Sequence, residues 1–286
     1  MRTVTLITPI YNTKDYIPRL LDSVLSQTCE SIEMIIVDDG STDGSSDVVR
    51  GYIPKFQERG YALKLLRQSN QGQAAAIYNA LPYVTGKYLA WPDSDDYYAS
   101  KDAIERMVST LRSAGEGFAM VRTQKRKVKD VSGETLEIQG LDVKPKESAG
   151  LFRDCLEDKN GWYFCAGGYM VDFEVFKKVT HLKMFHKKGV GQNWQMLQPV
   201  LYSYRCASIP EALYTVVSRE ESHCRRRYSL LERIHRKHLY LRLLLSTIWN
   251  IREMPVREKL RYSLYVVSRY GLLCSLIRLI IKKLLG

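Results

Sequence analysis

The sequence has no C-x-x-C pair and no histidine spaced to complete a zinc site, although it holds six cysteines: Cys29, Cys155, Cys165, Cys206, Cys224 and Cys274. Structural zinc is therefore not expected, and thiols scattered so widely read as buried and reduced. Internal repeats and low-complexity runs are also missing, which excludes solenoids and disordered tracts. No apolar stretch is long enough to span a bilayer. The opening Met1 to Pro9 is too short in apolar residues for a signal peptide and runs straight into a strand pattern. Reduced thiols and no signal sequence point to the cytoplasm. Acidic residues are scarce in one place: Ser222 to Gly286 carries 3 Asp+Glu against 15 Lys+Arg, whereas Met1 to Glu221 carries 28 against 28. The whole net charge of +12 thus sits in the last fifth of the chain. A nucleic-acid-binding protein carries its basic footprint on the domain that reads the nucleic acid, so nucleic acid is not an expected partner. A basic end on a neutral body suits an anionic surface instead.

What is present is the composition of a globular protein, with 45% hydrophobic and 26% charged residues over 286 positions, enough for one large domain and an appendage. Val4 to Ile10 reads as a buried strand. Tyr16, Ile17, Leu20, Leu21, Val24 and Leu25 then recur at the three-and-four spacing of a helix with one buried face. Ile32 to Val37 is a second strand, followed by a helix to about Phe56, a strand at Leu63 to Leu66, a helix from Gly72 to Leu81 and a strand at Tyr88 to Trp91. Strict alternation predicts a mostly parallel sheet flanked by helices. Beyond a helix at Asp102 to Ala114, residues 122–146 read as an exposed hairpin or flap. Short helices near Phe173 to Val179 and Gln192 to Tyr202 and a strand at Ser208 to Val217 complete the body. From Tyr228 the chain reads as two or three helices, interrupted near Met254-Pro255 and near Gly271.

In parallel sheets, ligands bind beyond the carboxyl ends of the strands, and the polar clusters stand there: Thr8 to Asn12, Asp38 to Asp43, Asn70 to Gln73 and Asp93 to Asp96. Asp93, Asp95 and Asp96 crowd three carboxylates into four residues, a repulsion that a hard divalent cation such as Mn²⁺ or Mg²⁺ relieves while bridging to phosphate oxygens. Taken alone, the cluster reads equally well as an acidic turn that caps the next helix. Asp38-Asp39-Gly40-Ser41 supplies a carboxylate and backbone groups suited to the edge of a base and a ribose hydroxyl; alone, it too is a glycine turn.

Together, Thr8-Pro9-Ile10-Tyr11-Asn12, Ile35 to Asp43, Asn70-Gln71-Gly72-Gln73 with Ala76 and Asn79, and Asp93-Ser94-Asp95-Asp96 resemble, in order and spacing over about the first 100 residues, the successive motifs of glycosyltransferase family two, of the GT-A fold. The resemblance implies an α/β, Rossmann-like sheet with a C-terminal helical appendage. It divides the chain into a GT-A domain over 1–218, with a nucleotide-binding half (1–100) and an acceptor half (101–218), and a basic amphipathic helical region over 219–286. It implies transfer of a sugar from a nucleotide-diphosphate donor, most often UDP-linked, to a glycan acceptor, lipid-linked in relatives that build surface polysaccharides, by inversion in most members. Thr8, Pro9 and Tyr11 would line the base pocket and Asp39 would pair with the base. Asp93 and Ser94 would lie near the ribose and metal, Asp95 would ligate the metal, and Gly72 and Gln73 would approach the donor. The ion would neutralise charge on the departing diphosphate. His223, after the last strand, is a candidate third metal ligand.

The chain departs from the family in its second half. Members usually carry a Glu-Asp pair whose Asp deprotonates the acceptor, and the matching stretch here is Gly191-Gln192-Asn193-Trp194. An amide cannot accept a proton at neutral pH. Another carboxylate such as Asp172 or Glu211 could serve, the acceptor could be an anionic phosphate as in a polyprenyl-phosphate glycosyltransferase, Asn193 could orient the acceptor while the proton leaves late, or the chain could be a non-catalytic nucleotide-sugar-binding or assembly subunit. Leu272, Leu273, Leu276, Ile277, Ile280, Ile281, Leu284 and Leu285, with Arg278 and Lys282 opposite, form an arc that suits either a lipid interface or a face of the protein itself. The first option places the protein at the inner face of the cell membrane, held there peripherally.

Overall fold

The computed structural model describes residues 2–130, 132–139, 148–160, 162–218 and 228–271. The first third is a run of strand and crossover helix: β1 (Arg2–Ile10), α1 (Ile17–Leu25), β2 (Ile32–Asp38), α2 (Ser45–Glu58), β3 (Ala62–Arg67), α3 (Gln73–Ala80) and β4 (Gly86–Ala90). These four strands pair in parallel in the order β3-β2-β1-β4. β2 is buried along its whole length and β1 from Val4 onward, as expected of parallel strands covered by helices on both faces. In α1, Ile17, Leu20, Leu21 and Val24 form the buried face, and Pro18 falls in the first turn, where no intrahelical N–H is lost.

The chain then adds β5 (Tyr97–Tyr98), α4 (Ala103–Ser113), β6 (Phe118–Lys129), β7 (Thr135–Gln139), α5 (Ser148–Glu157), β8 (Tyr169–Asp172), α6 (Phe173–Thr180), α7 (Asn193–Ser203) and β9 (Arg205–Ser218). Among the described residues, the sheet continues from β4 through β8, β6 and β9 to β5, with β8 antiparallel to β4 and β6 parallel to β9. Two features differ from the sequence pattern. The expected exposed hairpin is present only in its outer part, where Lys125 to Val128 pairs with an exposed β7. Ala119 to Gln124 is buried core between β8 and β9, because a strand flanked on both sides is enclosed whatever its cationic content. Arg122 shows how: its Nε donates to Ser208 Oγ at 3.0 Å and its guanidinium lies 5.4 Å from the centre of the Trp162 ring. Second, α5 and β8 were not legible; four residues of strand are too few to show a period.

After β9 come α8 (Leu230–Asn250) and α9 (Val256–Tyr270). Ser229 and Glu232 close a reciprocal capping box at the start of α8, and Pro255 separates the two helices at the expected interruption. α8 buries Leu243, Leu244 and Ile248 completely, and Tyr240 meets Trp194 of α7 edge-on at 5.4 Å. Cys29, Cys155, Cys165 and Cys206 are free and buried. No helix among the described residues is long and apolar enough to cross a membrane. His223, Cys224, Cys274 and the arc over 272–286 lie outside the described residues.

Candidate active site

The carboxyl ends of β1, β2, β3 and β4 face one edge, and the loops there are stitched together by side chain to backbone hydrogen bonds. Thr8 Oγ1 donates to the Pro92 carbonyl at 2.9 Å, tying the end of β1 to the loop after β4. Asn12 stands in the left-handed region at φ 51°, where its side-chain Oδ1 accepts from the Thr42 amide at 2.9 Å while its own amide donates to Ser41 Oγ at 3.0 Å. Asp38 is fully buried at the end of β2. Burial alone would raise its pKa, but hydrogen bonds from Ser41 and Ser46, with Arg67 nearby, hold the carboxyl below the ordinary range. Its role is thus to shape the turn that presents its neighbour.

That neighbour, Asp39, organises the loop after β3. Its Oδ1 accepts from Gln68 Nε2 at 2.8 Å and the Gln71 amide at 2.7 Å, and its Oδ2 from the Gly72 amide at 2.7 Å. Asn79 Nδ2 donates to Gln68 Oε1 at 2.7 Å, so the amide that meets Asp39 is itself oriented from α3. Gly72 has φ 93° and ψ 161°, a region open essentially to glycine, and a Cβ there would also come within 3.3 Å of Lys188 Cα. Gln73 follows and donates from Nε2 to Asp93 Oδ1 at 2.7 Å. The second and third motifs are therefore linked to the fourth by a chain of hydrogen bonds: Asp39 to Gly72, then Gln73 to Asp93.

The four acidic-loop residues divide by role. Asp96 is buried and turned toward the body, where its Oδ1 accepts from the Val217 amide at 2.9 Å. Burial, then the charges of Asp95 and Asp93, raise its pKa well above normal. Asp93 is half-buried. Burial first, and the adjacent Asp95 second, push its pKa up to about 7 against the hydrogen bond from Gln73. Ser94 is buried between them. Two neighbouring carboxylates are a donor set that a hard divalent cation fits, given that such ions bind through one or two carboxylates and take their other oxygens from phosphate and water. No group of three or more His, Cys, Asp or Glu side chains capable of holding a metal occurs among the described residues. Asp93 and Asp95 are the two carboxylates of this loop that could share such an ion.

The second half of the chain reaches this edge through contacts that the sequence did not reveal. Trp91 Nε1 donates to Asn193 Oδ1 at 2.9 Å, bringing the first residue of α7 beside the acidic loop. An indole N–H can only donate, so it fixes the amide with its oxygen toward Trp91 and leaves the Nδ2 hydrogens with no partner among the described residues. The Asp93 amide donates to Tyr214 Oη at 3.1 Å, and the Tyr214 ring sits against Gly167, where a Cβ would overlap it at 2.1 Å. The His186 ring stacks on Tyr78 of α3 at 4.5 Å, placing the stretch from Met184 to Gly189 over the Gly72 turn. A side-chain cue existed only for Trp91, a donor-only group two residues before Asp93. Pro9 lies beside Val37 at the end of β1, and Tyr11, 48% exposed, follows it at the rim. The carboxylates considered as substitutes for a base are engaged elsewhere. Asp172 caps α6 by accepting from the Val175 amide at 3.1 Å, at the end of β8 opposite Tyr88 rather than beyond Trp91. Glu211 pairs with Arg106 at 2.7 Å.

A parallel half-sheet whose strand-end loops converge on a carboxylate pair, extended by a mixed second half, is the architecture of GT-A glycosyltransferases. The solved structure of S. aureus TarS 1–349 in complex with UDP-GlcNAc superposes with a TM-score of 0.69 at 19% identity, over 93% of this chain and 72% of that one. The mannosyltransferase PcManGT of Pyrobaculum calidifontis, in complex with GDP-Man and Mn²⁺, superposes at 0.59 and 18% identity, over 95% and 70%. Residues 5–180 match the description Glycosyl transferase family 2, and the chain belongs to that family. In sequence it is 40% identical over 116 residues to TuaG of Bacillus subtilis strain 168, a protein named for teichuronic acid biosynthesis, covering 41% of this chain and 44% of TuaG. It is 35% identical over 108 residues to the glycosyltransferase GlyA of Streptococcus pneumoniae serotype 4, covering 38% of this chain and 15% of GlyA. The matches thus span less than half the length of these two relatives.

Proposed function

We propose that the chain transfers one sugar from a nucleoside-diphosphate donor, UDP-linked, to a glycan acceptor carried on a lipid, in the synthesis of a surface polysaccharide, with residues 1–218 as the transferase domain and 219–286 as its basic helical extension. The observation that carries this is the hydrogen-bonded path from Asp39 through Gly72 and Gln73 to Asp93, which joins the loop after β2 to the acidic loop after β4. Thr8, Pro9 and Tyr11 line the base side. Asp39 meets the base through the lone pairs that remain on Oδ2, its Oδ1 being used twice by the loop. Asp93 and Asp95 hold Mn²⁺ or Mg²⁺, with Ser94 beside the ribose; when bound, the ion supplies positive charge to the leaving diphosphate. The glycine at 72 lets the backbone approach the donor without a side chain intervening.

Asn193 favours a second acceptor chemistry, that of a polyprenyl phosphate. With its oxygen turned toward Trp91, its Nδ2 group is left to donate, which suits an anionic oxygen that needs no deprotonation. Inversion at the anomeric carbon follows the family habit for either acceptor. Thermal unfolding with a panel of nucleotide sugars, with and without Mn²⁺, tests the donor side, because a ligand at 100 times its Kd stabilises the native state by about 2.7 kcal/mol. Cation-dependent protection by UDP-sugars is expected. Protection with no turnover on any hydroxyl or phosphate acceptor would instead mark a binding or assembly subunit.

A further inference from the structure

α9 has two faces of opposite character. Its inner face is fixed to the body: Val266 is fully buried, Tyr262 meets Phe152 of α5 edge-on at 5.2 Å, and Tyr202 of α7 donates to Glu258 Oε2 at 3.2 Å. Arg269 donates to the Glu157 carbonyl at the end of α5. The orientation of the helix is therefore set, and with it the face that looks outward. That face carries Val256, Leu260, Leu264 and Val267, exposed by 62%, 52%, 72% and 43%. Their spacing of four, four and three puts them on one arc of about 80°, some 16 Å long at 1.5 Å per residue. Isolated exposed apolar residues need no explanation, but a continuous stripe of this kind does.

The rim of the stripe indicates its occupant. Arg257 and Arg261 stand on one side, both exposed, and Arg252 precedes the helix, exposed as well. On the other side Lys259 lies over the Trp249 ring at 5.9 Å. None of these four cations pairs with a described carboxylate, and Arg261 spends its hydrogen bond on Tyr262 Oη. Glu258, the one acidic residue within α9, is turned inward to Tyr202. Trp249, 48% exposed with its Nε1 donating to Ser263 Oγ at 3.1 Å, adds a half-exposed ring whose polar edge is satisfied. An apolar stripe, flanking unpaired cations and an amphipathic tryptophan are together the chemistry of a helix seated at an anionic lipid interface.

The structure assigns the outward face of α9, with Trp249, as a docking surface for an anionic phospholipid membrane. This goes beyond the tail over 272–286, and it deepens the lipid-linked-acceptor reading, on which it rests for its purpose though not for its evidence. α9 meets α7 at Tyr202, in the last turn of the helix that begins at Asn193.

The test is sedimentation of the full chain with vesicles of phosphatidylcholine alone and of phosphatidylcholine with phosphatidylglycerol. The chain should bind the second and not the first, and lose binding as salt is raised, since surface attraction is screened beyond about 10 Å at 0.1 M. The variant Val256→Gln/Leu260→Gln/Leu264→Gln, at exposed positions that leave the fold intact by circular dichroism and melting, should weaken partitioning about tenfold or more, and Arg257→Gln/Arg261→Gln should do likewise. Binding that is unchanged in both variants, or equal on neutral vesicles, or absent in the wild type, overturns the proposal. So does concentration-dependent self-association without lipid that the apolar variant abolishes, which would make the stripe a contact between copies. Turnover of a water-soluble acceptor, read in parallel, reports on the transferase reading separately, because none of the substituted residues belongs to the cleft.

Discussion

The two halves of the cleft are built by different means. In the first half, β1 to β4 are parallel and each ends in a polar loop whose partners are the neighbouring loops: Asn12 with Ser41 and Thr42, Asp39 with Gln71 and Gly72, Gln73 with Asp93. In the second half, single side chains reach across from mixed strands and helices packed by aromatic rings: Tyr214 to the Asp93 amide, Trp91 to Asn193, the Val217 amide to Asp96. The first half behaves as a set of mutually supporting turns, the second as struts. Loss of a turn residue should spread through several loops, whereas loss of a strut should be felt at one point of the acidic loop.

The largest effect is expected where both halves meet. Asp95→Asn and Asp93→Asn should each lower kcat by roughly 10²- to 10³-fold, with loss of cation-dependent protection by UDP-sugars; steady-state turnover and thermal shift check this. Retention of full activity in both variants would remove the cation from the reaction. Next comes the strut that supports the acidic loop. Gly167→Ala places a methyl group where the Tyr214 ring lies, and it should cost about 2–4 kcal/mol in urea unfolding while also lowering activity through the Asp93 backbone. Gly72→Ala, in the turn network, should cost about 1–3 kcal/mol from backbone strain and raise KM for the donor more than it lowers kcat. If amide hydrogen exchange showed Gly167→Ala loosening as many strand-end loops as Gly72→Ala, the contrast between turns and struts would fail.

Two smaller effects sharpen the comparison. Trp91→Phe removes the donor that fixes the Asn193 amide and leaves that oxygen without its partner, so stability should fall by about 1 kcal/mol and turnover should fall without a change in donor binding. The last concerns pH in the absence of divalent ions. Asp93 has a raised folded-state pKa, so between about 4 and about 7 the folded chain keeps a proton that the unfolded chain has released. Stability should therefore decline as pH rises through that window and level off above it. Denaturant titrations of wild type and Asp93→Asn across the window should show a steeper slope in the wild type, the remainder in the variant coming from Asp96, and a saturating divalent cation should flatten the difference.

How much of this was legible follows the same division. β1 to β4 and their helices could be read from apolar periodicity, and the strand-end clusters from their position after each buried run. The break near Met254-Pro255 was written in local residue types. The buried half of β6 was not, since Arg122, Gln124 and Lys125 suggest exposure until β8 and β9 close on either side. Neither were Tyr214 and Gly167, whose side chains carry no functional signature alone.

The sequence by itself determined the alternation of strand and helix, the parallel first half and the polar residues that stand at its strand ends. The reason is that periodicity and turn chemistry act over a few residues. Only the tertiary structure decided which of those residues share a site, that Asp96 turns inward while Asp93 and Asp95 remain, that Asn193 meets Trp91, and that one face of α9 looks outward. Those outcomes rest on contacts between residues 102 and 121 positions apart, and such pairings become definite only when the whole sheet has closed.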